Sequence, residues 1–79
     1  NIDKRFVLET AFRNKARSVV LVHNHVNGIP VPSRDDLNTT KAVGDFFQGV
    51  NVHLLDHLIY TDEDIFSMAQ VKKFAPLFI

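Results

Sequence analysis

The chain has 79 residues, which allows one small domain and excludes two. Its nine basic and nine acidic residues cancel, so the net charge gives no case for binding nucleic acid or an acidic membrane surface. No apolar run is long enough to span a bilayer, and without cysteine nothing indicates an oxidising compartment, so we expect a cytoplasmic protein.

The first third of the chain predicts a helix and then a buried strand. Residues 3–14 carry a partial apolar stripe at helical spacing, and Asp3 is placed to cap the helix start. Residues 18–22 form a short, continuous and mostly β-branched run, which is typical of a strand buried on both faces. The stripe of the helix consists of Phe6, Val7, Ala11 and Phe12.

A stiff loop and a second helix are predicted next. Residues 26–32 are interrupted by glycine and proline, which favours an ordered loop over a helix or strand. Ser33 followed by Asp36 is a variant of the capping signature, so we expect a helix over 34–48 that ends near Gly49. The apolar side chains that this helix should bury are Leu37, Val43, Phe46 and Phe47.

Two further strands are predicted in the remainder of the chain. Residues 52–60 are strongly apolar, with Leu54, Leu58 and Tyr60 on one face. A polar turn separates them from a short strand over 65–68. The order helix, strand, helix, strand predicts an α/β fold in which helices flank a sheet.

Two imidazoles, a hydroxyl and a carboxylate surround the predicted loop. His23 and His25 follow the first strand, where side chains at i and i+2 point to the same side. Asp36 lies in the first turn of the next helix, where the helix dipole favours the ionised carboxylate. Two histidines and one aspartate are a donor set of a catalytic zinc, which keeps a fourth position for water. Ser33 would lie close enough to donate to a developing oxyanion.

Each of these residues has a simpler explanation when it is taken alone. An isolated His-x-His pair is more often structural than metal-binding. Ser33 alone is more readily a helix cap, and Asp36 alone is a charge that favours the helix dipole. The four residues together, with the Gly/Pro loop between them, favour a metal site.

The spacing His-x-His, seven residues, Ser, two residues, Asp resembles the JAMM (MPN+) metalloprotease signature. The residues from His23 to Asp36 and from Leu54 to Ile59 are similar to the RadC family of bacterial JAMM-fold proteins. The resemblance covers residues 5–68, and its motif is highly specific. It implies that residues 1–79 form a RadC-like JAMM domain with a JAMM/MPN-like, cytidine-deaminase-like fold.

The resemblance implies zinc as the cofactor, with His23, His25 and Asp36 as its ligands and Ser33 as the oxyanion donor. The implied activity is hydrolysis of an amide or isopeptide bond in an unidentified peptide or protein substrate. JAMM enzymes also carry a general-base glutamate on a strand well before the His-x-His, and this chain does not contain that strand. We therefore expect the C-terminal portion of a domain, in which Glu9 is only a solvent-facing helix charge.

Several alternatives stay open at this point. A catalytically inactive binding or scaffold module, associated with DNA repair as the family name suggests, is the second interpretation. Asp56 could orient a histidine ligand, or Asp56 and His57 could make structural hydrogen bonds. His53 is expected at the sheet surface. An unpaired sheet edge would favour a homodimer.

Overall fold

A computed structural model of the chain describes residues 2–26 and 28–78. Within them the order of elements is the one that the sequence predicts, with two short 3₁₀ turns added near the C-terminal end. Asn27, in the predicted loop, lies outside the described residues. The helices and strands are α1 Lys4–Arg13, β1 Ser18–Asn24, α2 Arg34–Gly49, β2 His53–Tyr60 and β3 Ile65–Ser67.

Both helices begin at the caps that the sequence predicts. The side chain of Asp3 accepts the N–H of Phe6 at 3.1 Å and starts α1. Ser33 and Asp36 form a reciprocal capping box that starts α2.

Among the described residues, no helix combines the length and the apolarity needed to cross a membrane.

The described strands form one mixed sheet in the order β1-β2-β3. β1 pairs with β2 in parallel, and β2 pairs with β3 antiparallel. The register shifts early in the parallel pair, because Val19 is opposite Leu54 whereas Val20 is opposite Asp56. Leu55 is therefore an extra residue on β2, as in a β-bulge. This sheet with its two helices confirms the predicted α/β class.

The bulge changes which side chains of β2 face the interior. Leu54 is buried before the bulge, whereas His57 and Ile59 are buried after it. The predicted face of Leu54, Leu58 and Tyr60 is therefore wrong: Leu58 is half-buried and Tyr60 is exposed. Strict alternation from Leu54 cannot continue past an inserted residue.

The apolar core lies between the sheet and the two helices. Because α1, α2, β1 and β2 all contribute to it, the helices are held against the sheet by burial of a shared cluster. The buried members of this cluster are Ala11, Leu21, Val43, Phe47 and Leu54.

The prediction that β1 is buried on both faces is wrong. Val20 and Val22 are 44% and 54% exposed. The exposed and covered residues of β1 alternate, so the described elements cover one face of the sheet and leave the other open. A cavity of about 640 Å³ lies between this strand and α1.

Several aromatic side chains are more exposed than their helical spacing predicts. Phe6 and Phe12 of α1 are exposed, and so is Phe46 of α2, whereas Leu37 is half-buried. Phe12 and Phe46 pack edge to face with their ring centroids 5.9 Å apart. The two rings shield each other where α1 and α2 meet at the surface, which offsets part of their exposure.

Two adjacent phenylalanines of α2 provide a matched test of this packing. Phe47→Ala should lower the free energy of unfolding by about 3–5 kcal/mol, because its ring is fully buried in the core. Phe46→Ala should cost roughly 1 kcal/mol or less, because it loses mainly the edge-to-face contact. Urea unfolding of both variants measures the difference, and equal losses would contradict this description of the core.

Candidate metal centre

The two predicted histidine ligands lie at the end of β1. His23 is within the strand and is paired with Ile59 of β2. The chain stays alongside β2 for one more residue, because the N–H of His25 donates to the carbonyl of Tyr60 at 2.9 Å. This extended path places the imidazoles of His23 and His25 on the same side, with ring centroids 4.7 Å apart.

The loop after the strand turns back onto His25. Gly28 has a φ of +80°, a left-handed conformation that glycine adopts without steric cost, and its N–H donates to the carbonyl of His25 at 3.2 Å. The carbonyl of Ile29 accepts Nδ1–H of His25 at 2.8 Å. The loop therefore fixes the orientation of this imidazole and the position of its proton.

The capping box of α2 holds the predicted carboxylate. Oδ2 of Asp36 accepts the N–H of Ser33 at 2.8 Å, and Oγ of Ser33 accepts the N–H of Asp36 at 3.0 Å. Both residues lie at the N-terminal end of the helix, where the exposed N–H groups and the dipole stabilise negative charge. The capping box therefore orders the side chain of Asp36 independently of the two histidines.

These elements bring the three side chains to one point. Nε2 of His23 lies 3.1 Å from Oδ1 of Asp36, and Nε2 of His25 lies 3.0 Å from Oδ2. One donor atom from each residue lies within 4.8 Å of the others. Both histidine side chains are 16% exposed and the aspartate side chain is 11% exposed, so the point can be reached from solvent.

The chemistry of this donor set fits a divalent cation. His25 uses its Nδ1 proton on Ile29, so in the neutral ring Nε2 presents a lone pair to the carboxylate. Lone pairs and a carboxylate at this distance repel one another unless a cation or added protons lie among them. Zn–N and Zn–O bonds of about 2.0–2.2 Å place tetrahedral donors roughly 3.3–3.5 Å apart. The observed contacts of Asp36 with the two rings are only a few tenths of an ångström shorter.

Burial and hydrogen bonding keep His23 and Asp36 in the protonation states that metal binding needs. Burial lowers the pKa of His23, and the Asp36 carboxylate opposes that effect only in part. Burial raises the pKa of Asp36, but the hydrogen bonds of Ser33 and the neighbouring imidazoles outweigh it, and the net shift is downward. A neutral imidazole and an ionised carboxylate are therefore favoured near pH 7.

The structure also shows two residues of this site that the sequence motif does not contain. His57 on β2 places Nε2 2.9 Å from Nδ1 of His23, and Thr40 on α2 places Oγ1 2.6 Å from Nδ1 of His57. Both are fully buried, and burial lowers the pKa of His57 to about 4. The sequence gives no signal for Thr40. The only signal for His57 is the family-like segment around it, which does not reveal what the imidazole contacts.

The remaining candidate residues lie outside the cluster. Asp56 accepts backbone N–H groups of His57 and Ala69 at 2.7 and 2.9 Å and the hydroxyl of Ser67, so it is structural. His53 is exposed on β2, as expected. Glu9 is exposed on α1 and lies 3.6 Å from Arg5, which agrees with a solvent-facing helix charge.

A polar cavity of about 370 Å³ lies beside His25. It is formed by the end of β1, the following loop and the turn after β2. Such a cavity leaves room for a ligand next to the cluster. Its lining residues are Asn24, His25, Val26, Gly28, Thr61, Asp62 and Glu63.

Comparisons with known proteins agree with the resemblance found in the sequence. The family model described as RadC-like JAB domain matches residues 1–73. A UPF0758 protein of Geobacillus thermodenitrificans is 38% identical over 69 residues, which cover 87% of this chain and 30% of that protein. A UPF0758 protein of Pseudomonas syringae pv. tomato is 39% identical over 69 residues, which cover 87% and 31%. The chain thus spans about a third of the length of the curated relatives it matches.

The contribution of the Ser33 side chain to the helix cap can be measured by substitution. Ser33→Ala should lower the free energy of unfolding of the metal-free protein by about 1 kcal/mol, because the N–H of Asp36 loses its acceptor. Ser33→Gly should cost only a few tenths of a kcal/mol, about what glycine costs at an N-cap. Thermal or urea unfolding measures both, and an unchanged stability in Ser33→Ala would show that the capping bond contributes nothing.

Proposed function

Because the chain belongs to the family of RadC-like JAB domains, we propose that it is a zinc-dependent hydrolase domain of the JAMM type, which cleaves amide or isopeptide bonds. The observation that carries this proposal is the convergence of His23, His25 and Asp36. Two imidazoles and one carboxylate leave a fourth position open, which is the mark of a catalytic rather than a structural zinc site.

In this proposal each side chain of the centre has a defined task. His23 and His25 bind zinc through Nε2, and Asp36 binds through its carboxylate. Bound zinc would supply the Lewis acidity that polarises a carbonyl and makes water nucleophilic near neutral pH. The capping box holds Asp36 in place, so its carboxylate needs no rearrangement to bind.

Ser33 is proposed to stabilise the oxyanion of the reaction. Its oxygen accepts the N–H of Asp36, and this bond does not use the proton of the hydroxyl. That proton can therefore be donated to a substrate oxygen that becomes negative as water attacks the carbonyl. Proton transfer is assigned to the general-base glutamate that the resemblance places upstream of His23.

The cavity beside His25 is the proposed place for the substrate. It adjoins one proposed zinc ligand, and its lining is polar and includes Asp62 and Glu63. A peptide or isopeptide carries amide N–H groups, which carboxylates and carbonyls along such a cavity can accept. The polar lining of the cavity therefore supports an amide substrate.

Metal content tests the ligand assignment directly. The purified protein should contain about one zinc ion per chain, and His23→Ala and Asp36→Ala should each abolish it because three donors are the minimum for the site. His53→Ala is the matched control, since this histidine is exposed on β2 and outside the cluster. Elemental analysis after dialysis measures the content, and zinc retained by both ligand variants would contradict the assignment.

Activity tests the role of Ser33. The assay uses a protein that also carries the upstream strand with the general-base glutamate. On any substrate selected from a library of peptides and isopeptide-linked peptides, Ser33→Gly in that protein should reduce kcat by about 10²–10³-fold, because it removes one oxyanion donor. Zinc content and stability should remain near those of the wild type, since glycine is tolerated at the N-cap. Full turnover by this variant would exclude the proposed role.

A catalytically inactive scaffold that binds DNA is the second candidate function. The position of Glu9, on an exposed helix face next to Arg5 and outside the cluster, favours the inactive part of this candidate, because Glu9 is not placed to act as a general base. The DNA partner is suggested by the family name alone. Binding of a labelled DNA duplex should then weaken steeply as salt is raised, because phosphate contacts release counterions. A flat salt response, or no binding at low salt, would exclude this candidate.

A further inference from the structure

A chain of buried hydrogen bonds connects α2 to the ring of His23. Oγ1 of Thr40 lies 2.7 Å from the carbonyl oxygen of Asp36 and 2.6 Å from Nδ1 of His57. Nε2 of His57 lies 2.9 Å from Nδ1 of His23. Thr40 and His57 are both fully buried, so water cannot replace these partners.

The direction of the first bond is set by the carbonyl group. A carbonyl oxygen can only accept, so the single hydroxyl proton of Thr40 is donated to Asp36. The same hydroxyl oxygen then has lone pairs left for His57. Nδ1 of His57 must therefore carry a proton and donate it to Thr40.

The direction of the last bond follows from the first. An imidazolium at His57 would be fully buried, and the nearby carboxylates of Asp36 and Asp56 do not offset the cost of that burial. His57 is therefore neutral and presents a lone pair at Nε2. The contact with His23 then requires a proton on Nδ1 of His23, which directs the lone pair of that ring, at Nε2, toward Asp36.

We propose that Thr40 and His57 are positioning residues that hold the proton of His23 on Nδ1 and so reserve Nε2 for the metal. The proposal rests on the proposed zinc site. It explains why both imidazoles present the same nitrogen, since the carbonyl of Ile29 performs for His25 the task that His57 performs for His23. It also links two ligands, because Thr40 contacts the backbone of Asp36 and, through His57, the ring of His23.

The position of the proton can be measured without any metal. In ¹⁵N-labelled metal-free protein, long-range ¹H–¹⁵N spectra report which ring nitrogens carry protons. We expect Nδ1 of both His23 and His57 to be protonated and Nε2 of His57 to be bare. Thr40→Val removes the acceptor for His57 and should move protonation to its Nε2, whereas Thr40→Ser should preserve the wild-type pattern. A bare Nδ1 on His23 in the wild type would overturn the proposal.

Zinc affinity provides the second measurement. Competition with a chromophoric chelator should show zinc binding about 10–100-fold weaker in Thr40→Val, the usual effect of losing a residue that orients a ligand. Thr40→Ser should bind nearly as tightly as the wild type. Thr39→Val is the matched control, because Thr39 is buried on the same helix and takes no part in the hydrogen-bonded chain.

The outcomes separate this inference from the proposed function. Equal weakening by Thr40→Val and Thr39→Val, accompanied by equal losses in thermal stability, would mean that Thr40 serves only packing and would overturn the proposal. Failure of the wild type to bind zinc would overturn the proposed hydrolase instead, while the proton positions would still be decided by the metal-free spectra. Restoration of affinity by Thr40→Ser supports the inference, since it returns only the hydroxyl.

Discussion

The carboxylate of Asp36 completes a helix cap and faces both histidines at the same time, and the candidate metal centre depends on this shared use. The N–H of Ser33 holds one oxygen, so the side chain is ordered for reasons of helix stability alone. An unrestrained aspartate would lose rotamer freedom on meeting the two imidazoles. Because the cap has already removed that freedom, the candidate centre contains a carboxylate that is preorganised by an ordinary feature of local structure.

The other side of the centre depends on the parallel pairing of β1 with β2. This pairing continues past the end of β1 through the N–H of His25, and it places His57 next to the ring of His23. Packing of α2 against β2 then brings Thr40 to His57. The positions of the three side chains are thus restricted by three features: the end of β1, the start of α2 and the buried hydrogen-bonded chain. None of these restraints needs a long flexible side chain.

Much of this arrangement is predictable because its signals are local. The capping residues, the strand periodicity at His23 and His25 and the glycine of the loop all act within a few positions of the chain. The exposure of Phe46 and the contact of Thr40 with His57 depend on how α1, α2 and β2 pack, and no short segment encodes that packing. For the same reason the valine-rich strand β1 is predicted to be buried on both faces, although the described elements cover only one of them.

The extra residue at Leu55 determines the face of β2 on which the imidazole of His57 lies. Residues three positions apart on a regular strand face opposite sides, yet Leu54 and His57 both face the interior because Leu55 has no partner on β1. Loss of Leu55 alone would leave Leu54 and His57 two positions apart on a regular strand, so the imidazole would stay inward. A regular strand of unchanged length would instead turn the imidazole to the opposite face, so homologues are expected to keep either the bulge or a one-residue gap opposite Leu55.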